Sequence, residues 1–356
     1  MRLVTLRKQD PLFQAYLTGH FSKTERALPI QSLNVDTETE QITFEIKNKS
    51  DIAMPHWIFK WPTVLRFKSM AQVTVPLLLV LAKNLLDETV TDLALGLLAG
   101  LGAIVLYVGL NLFNDYIDHL RGLDRIYPEA GNRAIQKGWV AAWTVRAWAI
   151  GYLCVGGLLG LPALLGHSEI LWLVVVITGL GFLGIVLAKR GRKLNRLSEF
   201  LAFLLLGPLL TLGFQLALGG DIDIEVLAIG FLTGWFAVFR LHFKNFQQLM
   251  IGVQSKFVNS MTSLGFEKAK LALKLWWLVF VAAFLIYYFI YSNILWLILA
   301  IALQSLTTFL IFKRMDQLQS PVGSAVSELA KAVSQSSRLI VLYWVAVGLW
   351  QISFIL

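Results

Sequence analysis

What most limits the fold of this chain is a series of apolar runs, each long enough to cross a bilayer as a helix. A helix needs roughly 20 apolar residues to span about 30 Å of hydrocarbon. About nine such runs centre on residues 69–86, 91–113, 140–165, 169–188, 197–219, 224–243, 271–291, 293–312 and 337–355. Only Ser292 and Asn293 separate the seventh from the eighth, which predicts a tight helical hairpin there. Strands are not expected in this region, because a spanning segment must satisfy its own backbone groups. The expected class is therefore all-α, a polytopic membrane bundle of about nine transmembrane helices. With 57% hydrophobic and 15% charged residues in 356, the composition also exceeds what a soluble core requires.

The net charge of +9 is distributed by loop rather than gathered in one patch. Arg121, Arg125, Arg133 and Lys137 follow the second run, and Lys189, Arg190, Arg192, Lys193 and Arg196 follow the fourth. Lys244, Lys256, Lys268 and Lys270 follow the sixth, and Lys313, Arg314, Lys331 and Arg338 the eighth. The opposite loops hold mainly acids: Asp87, Glu88, Asp92, Glu169, Asp221, Asp223 and Glu225. By the positive-inside rule this predicts a multi-pass protein of the cell (inner) membrane with a cytoplasmic N-terminus. Nucleic acid is not an expected partner, since that would need a basic patch outside the bilayer. The one cysteine, Cys154, lies inside the third run and reads as a small buried hydrophobe.

Residues 1–58 differ from the rest in being polar and mixed in charge. They read as an N-terminal cytoplasmic extension, with residues 59–356 forming the membrane domain. The alternation in Gln41-Ile42-Thr43-Phe44-Glu45-Ile46 predicts a strand. Too short for a large core, the extension either packs on the membrane domain or stays partly mobile. Trp57, Trp61 and Phe67 with Lys60, Arg66 and Lys68 suit a membrane interface.

The most informative stretch is Asn111 to Asp124, NLFNDYIDHLRGLD, at the end of the second run. Asn111, Asp115 and Asp118 are spaced i, i+4, i+7, so an amide and two carboxylates share one helical face. Acids are disfavoured at a helix C-terminus and costly at membrane depth, so they need a compensating cation. One candidate is Mg²⁺, which suits carboxylate and amide oxygens and bridges them to phosphates. The other is a solvated helix end whose acids pair with Arg121 and Arg125.

This stretch resembles the first aspartate-rich motif of the UbiA superfamily of intramembrane prenyltransferases, in the NxxNDxxDxxxGxD form of the MenA-like branch, which prenylates dihydroxynaphthoate in menaquinone biosynthesis. Further stretches extend the resemblance over most of residues 57–356: Arg66-Phe67-Lys68-Ser69-Met70 with Pro76; Gly131-Asn132-Arg133 with Gly138; and Lys193, Leu197-Ser198-Glu199, Gly207-Pro208 and Gly213. The resemblance implies a helical bundle around a cavity open to lipid, with a prenyl diphosphate at its cytoplasmic end. It implies that Asn111, Asp115, Asp118 and Asp124 hold Mg²⁺ and that the three aspartates are catalytic. Arg66, Lys68, Arg133 and Lys193 are then candidates for phosphate or acceptor contacts, and the acceptor is aromatic, dihydroxynaphthoate first.

The sequence departs from the family at its second motif, NNxRDxxxD. Lys244-Asn245-Phe246-Gln247-Gln248 and then Gly252 stand there, so Gln248 and Gly252 replace both aspartates. Lys244 and Gln248, one turn apart, can supply a point charge and a donor to phosphate in place of a second metal. The competing reading is a relative that binds a lipid phosphate without turning it over. Transport is a third class, whose sign would be broken helices near the bilayer midplane.

Overall fold

The computed structural model describes residues 2–35, 37–126, 133–167, 172, 176, 179, 195–247, 249, 260–321 and 324–353. The fourth apolar run, centred on 169–188, lies outside the described residues apart from three isolated positions. The chain divides into two compact units, Met1–Met70 with Ile104–Leu158 and Ala71–Ala103 with Leu159–Leu356.

The polar N-terminus folds as a small α+β module within the first unit. Strand β1 (Arg2–Arg7), helix α1 (Phe13–Thr18) and strands β2 (Glu25–Leu33) and β3 (Gln41–Asn48) build an antiparallel sheet in the order β1-β3-β2. The period-2 pattern of β3 turns Ile42, Phe44 and Ile46 to one face, where they bury against Phe13 and Leu17 of α1. The pairing of β2 shifts register between Pro29 and Gln31, where proline has no N–H for the ladder. The alternation seen in residues 41–46 is therefore the central strand of a sheet. Of the two fates expected for the extension, packing is the one observed. Leu120 near the end of the second long helix covers the module's core, and the Arg125 guanidinium forms a buried ion pair with Glu40.

Helix α2 (Trp57–Val64) leads into α3 (Phe67–Leu86) and α4 (Leu93–Arg121), followed by the short α5 (Leu123–Ile126) and by α6 (Ala142–Gly166). Trp57, Ile58 and Phe59 of α2 are exposed, as an interfacial segment requires. Helix α4 has 29 residues, which at 1.5 Å each is about 43 Å and exceeds the hydrocarbon thickness by more than two turns. Its polar last third therefore lies at or beyond the apolar layer. A cluster of Val64, Val108, Leu112, Ala134, Ile135, Val145 and Ala149 joins α2, α4, residues 133–140 and α6.

The second unit continues with α7 (Asn195–Leu206), α8 (Pro208–Ala217), α9 (Ile224–Gln247), α10 (Ser260–Leu264), α11 (Phe266–Tyr291), α12 (Ile294–Asp316) and α13 (Ser324–Ser353). Its core is aromatic: Phe236 lies 5.2 Å from Phe280 and 5.4 Å from Trp344, ring centre to ring centre, and Phe284 lies 5.8 Å from Trp344. The hairpin expected at Ser292 and Asn293 is present, and the Asn293 side chain caps α12 by accepting from the Trp296 N–H at 3.1 Å.

Among the described residues eight helical segments are long and apolar enough to cross a membrane, so the fold is a polytopic helical bundle. The fifth run is one of these spans, Glu199–Ala217, with a local break at Gly207-Pro208, because proline lacks the N–H and crowds the preceding turn. One expectation needs correction. Cys154 is exposed on α6 rather than buried; α6 is apolar on all sides, so a small thiol is as well placed toward lipid as toward protein.

The break coincides with a close crossing of α9. A Cβ on Gly234 would stand 2.6 Å from the Phe203 carbonyl oxygen and 3.0 Å from the Gly207 Cα, so glycine is what lets the backbones meet. We expect Gly234→Val to cost about 1–3 kcal/mol by overpacking, read as a lower melting midpoint in detergent. Unchanged melting would show that the crossing has slack. At the module, Glu40→Ala strands a buried guanidinium and should cost about 3–5 kcal/mol. Glu40→Ala with Arg125→Met should cost less than Glu40→Ala alone, a difference checked by denaturant titration.

Candidate functional site

The last turns of α4 place Asn111, Asp115 and Asp118 along one face, and the turn at Gly122 carries the chain into α5 with Asp124. Gly122 adopts φ +76°, a left-handed conformation that glycine takes without steric cost. Asp115 is buried and is gripped by Arg66: Nε donates to Oδ2 at 3.0 Å and Nη2 donates to Oδ1. This two-pronged geometry matches a planar guanidinium to a carboxylate. Asn111 donates from Nδ2 to the Ser69 hydroxyl at 3.2 Å, and that hydroxyl donates to the Arg66 carbonyl at 2.7 Å. Burial holds Arg66 below its ordinary pKa, while Asp124 and Asp118 push it back up. Its guanidinium therefore feels the charge of those acids as well as the grip of Asp115.

A small cavity opens beside these groups, lined by Asp115, Asp124, Arg133 and Gln136 on its polar side and by Val64, Leu112, Ile135 and Val145 on its apolar side. The Arg133 Nε is buried and makes no hydrogen bond among the described residues. Arg66 and Arg133 are also two of the four non-glycine residues with positive φ among the described residues, at +52° and +51°. Such a backbone costs about 1–3 kcal/mol and persists where surrounding structure enforces it, often at ligand sites.

The structure departs from the sequence expectation in how the acids are balanced. No group of three or more His, Cys, Asp or Glu side chains among the described residues is close enough to hold a metal ion by itself. Asp115 is engaged by the Arg66 guanidinium, and Asp124 and Asp118 lie close enough to act on the charge of the same guanidinium. The arginine that balances Asp115 is Arg66, expected as a phosphate contact. Arg121 is exposed, and Arg125 pairs with Glu40. Hard oxygen donors of this kind still suit Mg²⁺, which commonly takes one or two carboxylates and completes its octahedron with water and substrate phosphate.

Lys68 is exposed at the start of α3, and Lys244 is half-buried on α9. Lys193 and Gln248 lie outside the described residues, as do Gly131 and Asn132. Gln136 was absent from the expected site. It sits in an irregular turn with no motif spacing to mark it, and only the fold carries it to Asp124.

The second unit has polar features of its own. Buried Glu199 accepts hydrogen bonds from Asn245 Nδ2 at 3.2 Å and from the Ser260 hydroxyl, and His242 Nδ1 lies 3.4 Å from that hydroxyl. A small cavity is lined by Gln72 and Arg240 with Val75, Pro76, Thr233, Phe236 and Trp344.

No protein-family model matches this chain, and no curated protein does. Among solved structures, a UbiA homolog from Archaeoglobus fulgidus bound to GPP and Mg²⁺ matches at 15% identity and a TM-score of 0.51, covering 81% of this chain and 99% of the other. A structure of a UbiA homolog from the same organism bound to DMAPP and Mg²⁺ also matches at 15% identity, with the same coverage and a TM-score of 0.49. At this identity the first match speaks to architecture: the chain has the fold of a UbiA homolog.

Proposed function

We propose that the protein is a membrane-embedded prenyltransferase that moves a polyprenyl chain from its diphosphate to an aromatic acceptor of the dihydroxynaphthoate type. The observation that carries this reading is the cavity where Asp115 and Asp124 face Arg133 beside the Arg66 guanidinium. Carboxylates interleaved with guanidiniums are what a metal-bound diphosphate needs. The UbiA homologs of similar fold are bound to GPP or DMAPP with Mg²⁺, which supports the same class of donor here.

Asp115, Asp118, Asp124 and Asn111 would hold Mg²⁺, which when bound supplies positive charge at the leaving diphosphate. Arg66 and Arg133 bind phosphate oxygens, and their fixed charge opposes the negative charge that builds as the C1–O bond breaks. That bond's electron pair leaves with the diphosphate. The allylic carbon then bonds to an aromatic carbon of the acceptor, whose ring proton passes to the released pyrophosphate. Val64, Leu112, Ile135 and Val145 keep one wall of the cavity apolar and water away from the cation. Arg66 neutralises Asp115 in the structure described, and its guanidinium would be a donor to diphosphate oxygens were the carboxylate to hold Mg²⁺.

One observation favours a second reading. The Arg66–Asp115 pair already balances the buried acid, and Gln248 and Gly252 stand where a second acidic motif is expected. A protein that binds a prenyl phosphate and releases it unchanged would show both features. Turnover separates the two readings.

Purified protein in detergent, given a prenyl diphosphate and dihydroxynaphthoate, should release pyrophosphate and form a prenylated product with Mg²⁺ but not with EDTA. Asp115→Asn and Asp118→Asn should each lower the rate at least about 100-fold in protein that still folds, with a lowered melting midpoint for Asp115→Asn alone, because it leaves the Arg66 guanidinium without its carboxylate. Binding without product across a panel of aromatic acceptors would select the second reading. We also propose phosphate contacts for Lys68, Lys193, Lys244 and Gln248. For Lys244, the Lys244→Ala variant should bind prenyl diphosphate more weakly with unchanged membrane insertion; equal affinity would leave it an interfacial anchor.

A further inference from the structure

Asp124 does not sit on α4 with Asp115 and Asp118 but on α5, a single turn beyond Gly122. A helix of four residues has little stability of its own, so something else must hold that carboxylate. Two chains of contacts do so, and both start in the N-terminal module.

The first runs through His119. Its ring is buried, with Nε2 2.9 Å from the Leu17 carbonyl oxygen on α1. A carbonyl only accepts, so Nε2 carries the proton, and in the neutral ring Nδ1 is left as an acceptor. The Gln136 amide nitrogen lies 3.2 Å from that Nδ1 and 3.1 Å from Asp124 Oδ2. An amide NH₂ has two hydrogens, and here one goes to each neighbour. This settles which end of Gln136 faces Asp124, because neither Nδ1 nor a carboxylate oxygen supplies a proton to a carbonyl. The second chain runs through Arg125, next to Asp124. It makes the buried ion pair with Glu40 and donates from Nη1 to the His119 carbonyl at 2.9 Å. The module thus holds both α5 and the side chain that orients its acid, and Gln136 lines the same cavity as Asp124 and Asp115.

We propose that His119 and Gln136 are positioning residues that fix the Asp124 carboxylate from the N-terminal module, making that module part of the metal and diphosphate site. The proposal rests on the reading of this cavity as a Mg²⁺-diphosphate site. Loss of a partner that orients a ligating carboxylate typically costs 10–100-fold in metal affinity. Neither residue needs to touch the substrate.

The test uses the full-length protein in detergent, with inorganic pyrophosphate as probe and calorimetry across a series of MgCl₂ concentrations. Gln136→Leu keeps the bulk of the side chain and removes both hydrogens. It should raise the Mg²⁺ concentration for half-maximal pyrophosphate binding by about 10-fold or more, with the melting midpoint nearly unchanged. His119→Phe should act in the same direction, and Gln136→Leu with His119→Phe should cost no more than the worse single variant. An unchanged Mg²⁺ requirement in Gln136→Leu overturns the proposal, and a lowered melting midpoint alongside it assigns the residue a purely structural role. Additive effects of the two substitutions overturn the relay. Absence of any Mg²⁺-dependent pyrophosphate binding in the unsubstituted protein overturns the reading of the cavity, and the proposal with it; that failure is visible before any variant is made.

Discussion

A buried carboxylate must be balanced, and in the first unit that requirement organises everything around it. Asp115 lies at the end of an apolar helix, where the helix dipole and the low dielectric both oppose its charge. The Arg66 guanidinium meets it with two parallel hydrogen bonds. To do so Arg66 adopts a left-handed backbone between α2 and α3, and its own carbonyl receives the Ser69 hydroxyl that in turn accepts from Asn111. One charge pair therefore ties the start of α3 to the end of α4. Removing either partner would leave an uncompensated ion in an apolar setting, which is costlier than losing a surface pair.

The second unit uses a different means. Its helices meet through rings, with Phe236, Phe280 and Phe284 each packed against Trp344, and through glycines that bring α8 and α9 together. Within a bilayer, apolar burial gives helices little reason to associate, so close packing and hydrogen bonds must do so. Polar residues at the Asn84 end of α3 follow the same logic. Asn84 donates to Gln215 at 3.1 Å, and Lys83 is held between Asp87 and Asp223.

Much of this was legible in the residues. Most of the apolar runs marked spanning helices, although the second helix continues to Arg121 and the last begins at Ser324, well before its run, because polar residues extend both beyond the apolar stretch; Ser292 and Asn293 marked the hairpin, and the Ile42, Phe44, Ile46 alternation marked a strand. The spacing of Asn111, Asp115 and Asp118 marked a shared polar face. Other features were not legible because they depend on contacts across long stretches of chain. Arg66 precedes Asp115 by 49 residues, and no local pattern distinguishes it from Lys68 as that acid's partner. Gln136 is an ordinary polar residue in a turn until the fold sets it against Asp124 and His119. A single strand-like stretch also gave no sign that β1 and β2 would flank it, since neither edge strand shows the strict polar and apolar alternation of β3. The Gly207-Pro208 break was visible as a proline, yet the hydropathy of the run concealed it.

The docking of the module has a consequence for biosynthesis. Glu40 precedes its partner Arg125 by 85 residues, and Leu17 precedes His119 by 102. At translation rates of about 5–20 residues per second, several seconds separate the two halves of each contact. The strands and α1 can pair during that interval, but Glu40 meets the Arg125 guanidinium only after α3 and α4 have been made and α5 has emerged. The module is therefore completed by the membrane helices that follow it, and a chain whose first two spans insert wrongly would carry an open, acid-bearing face that quality-control proteases can recognise.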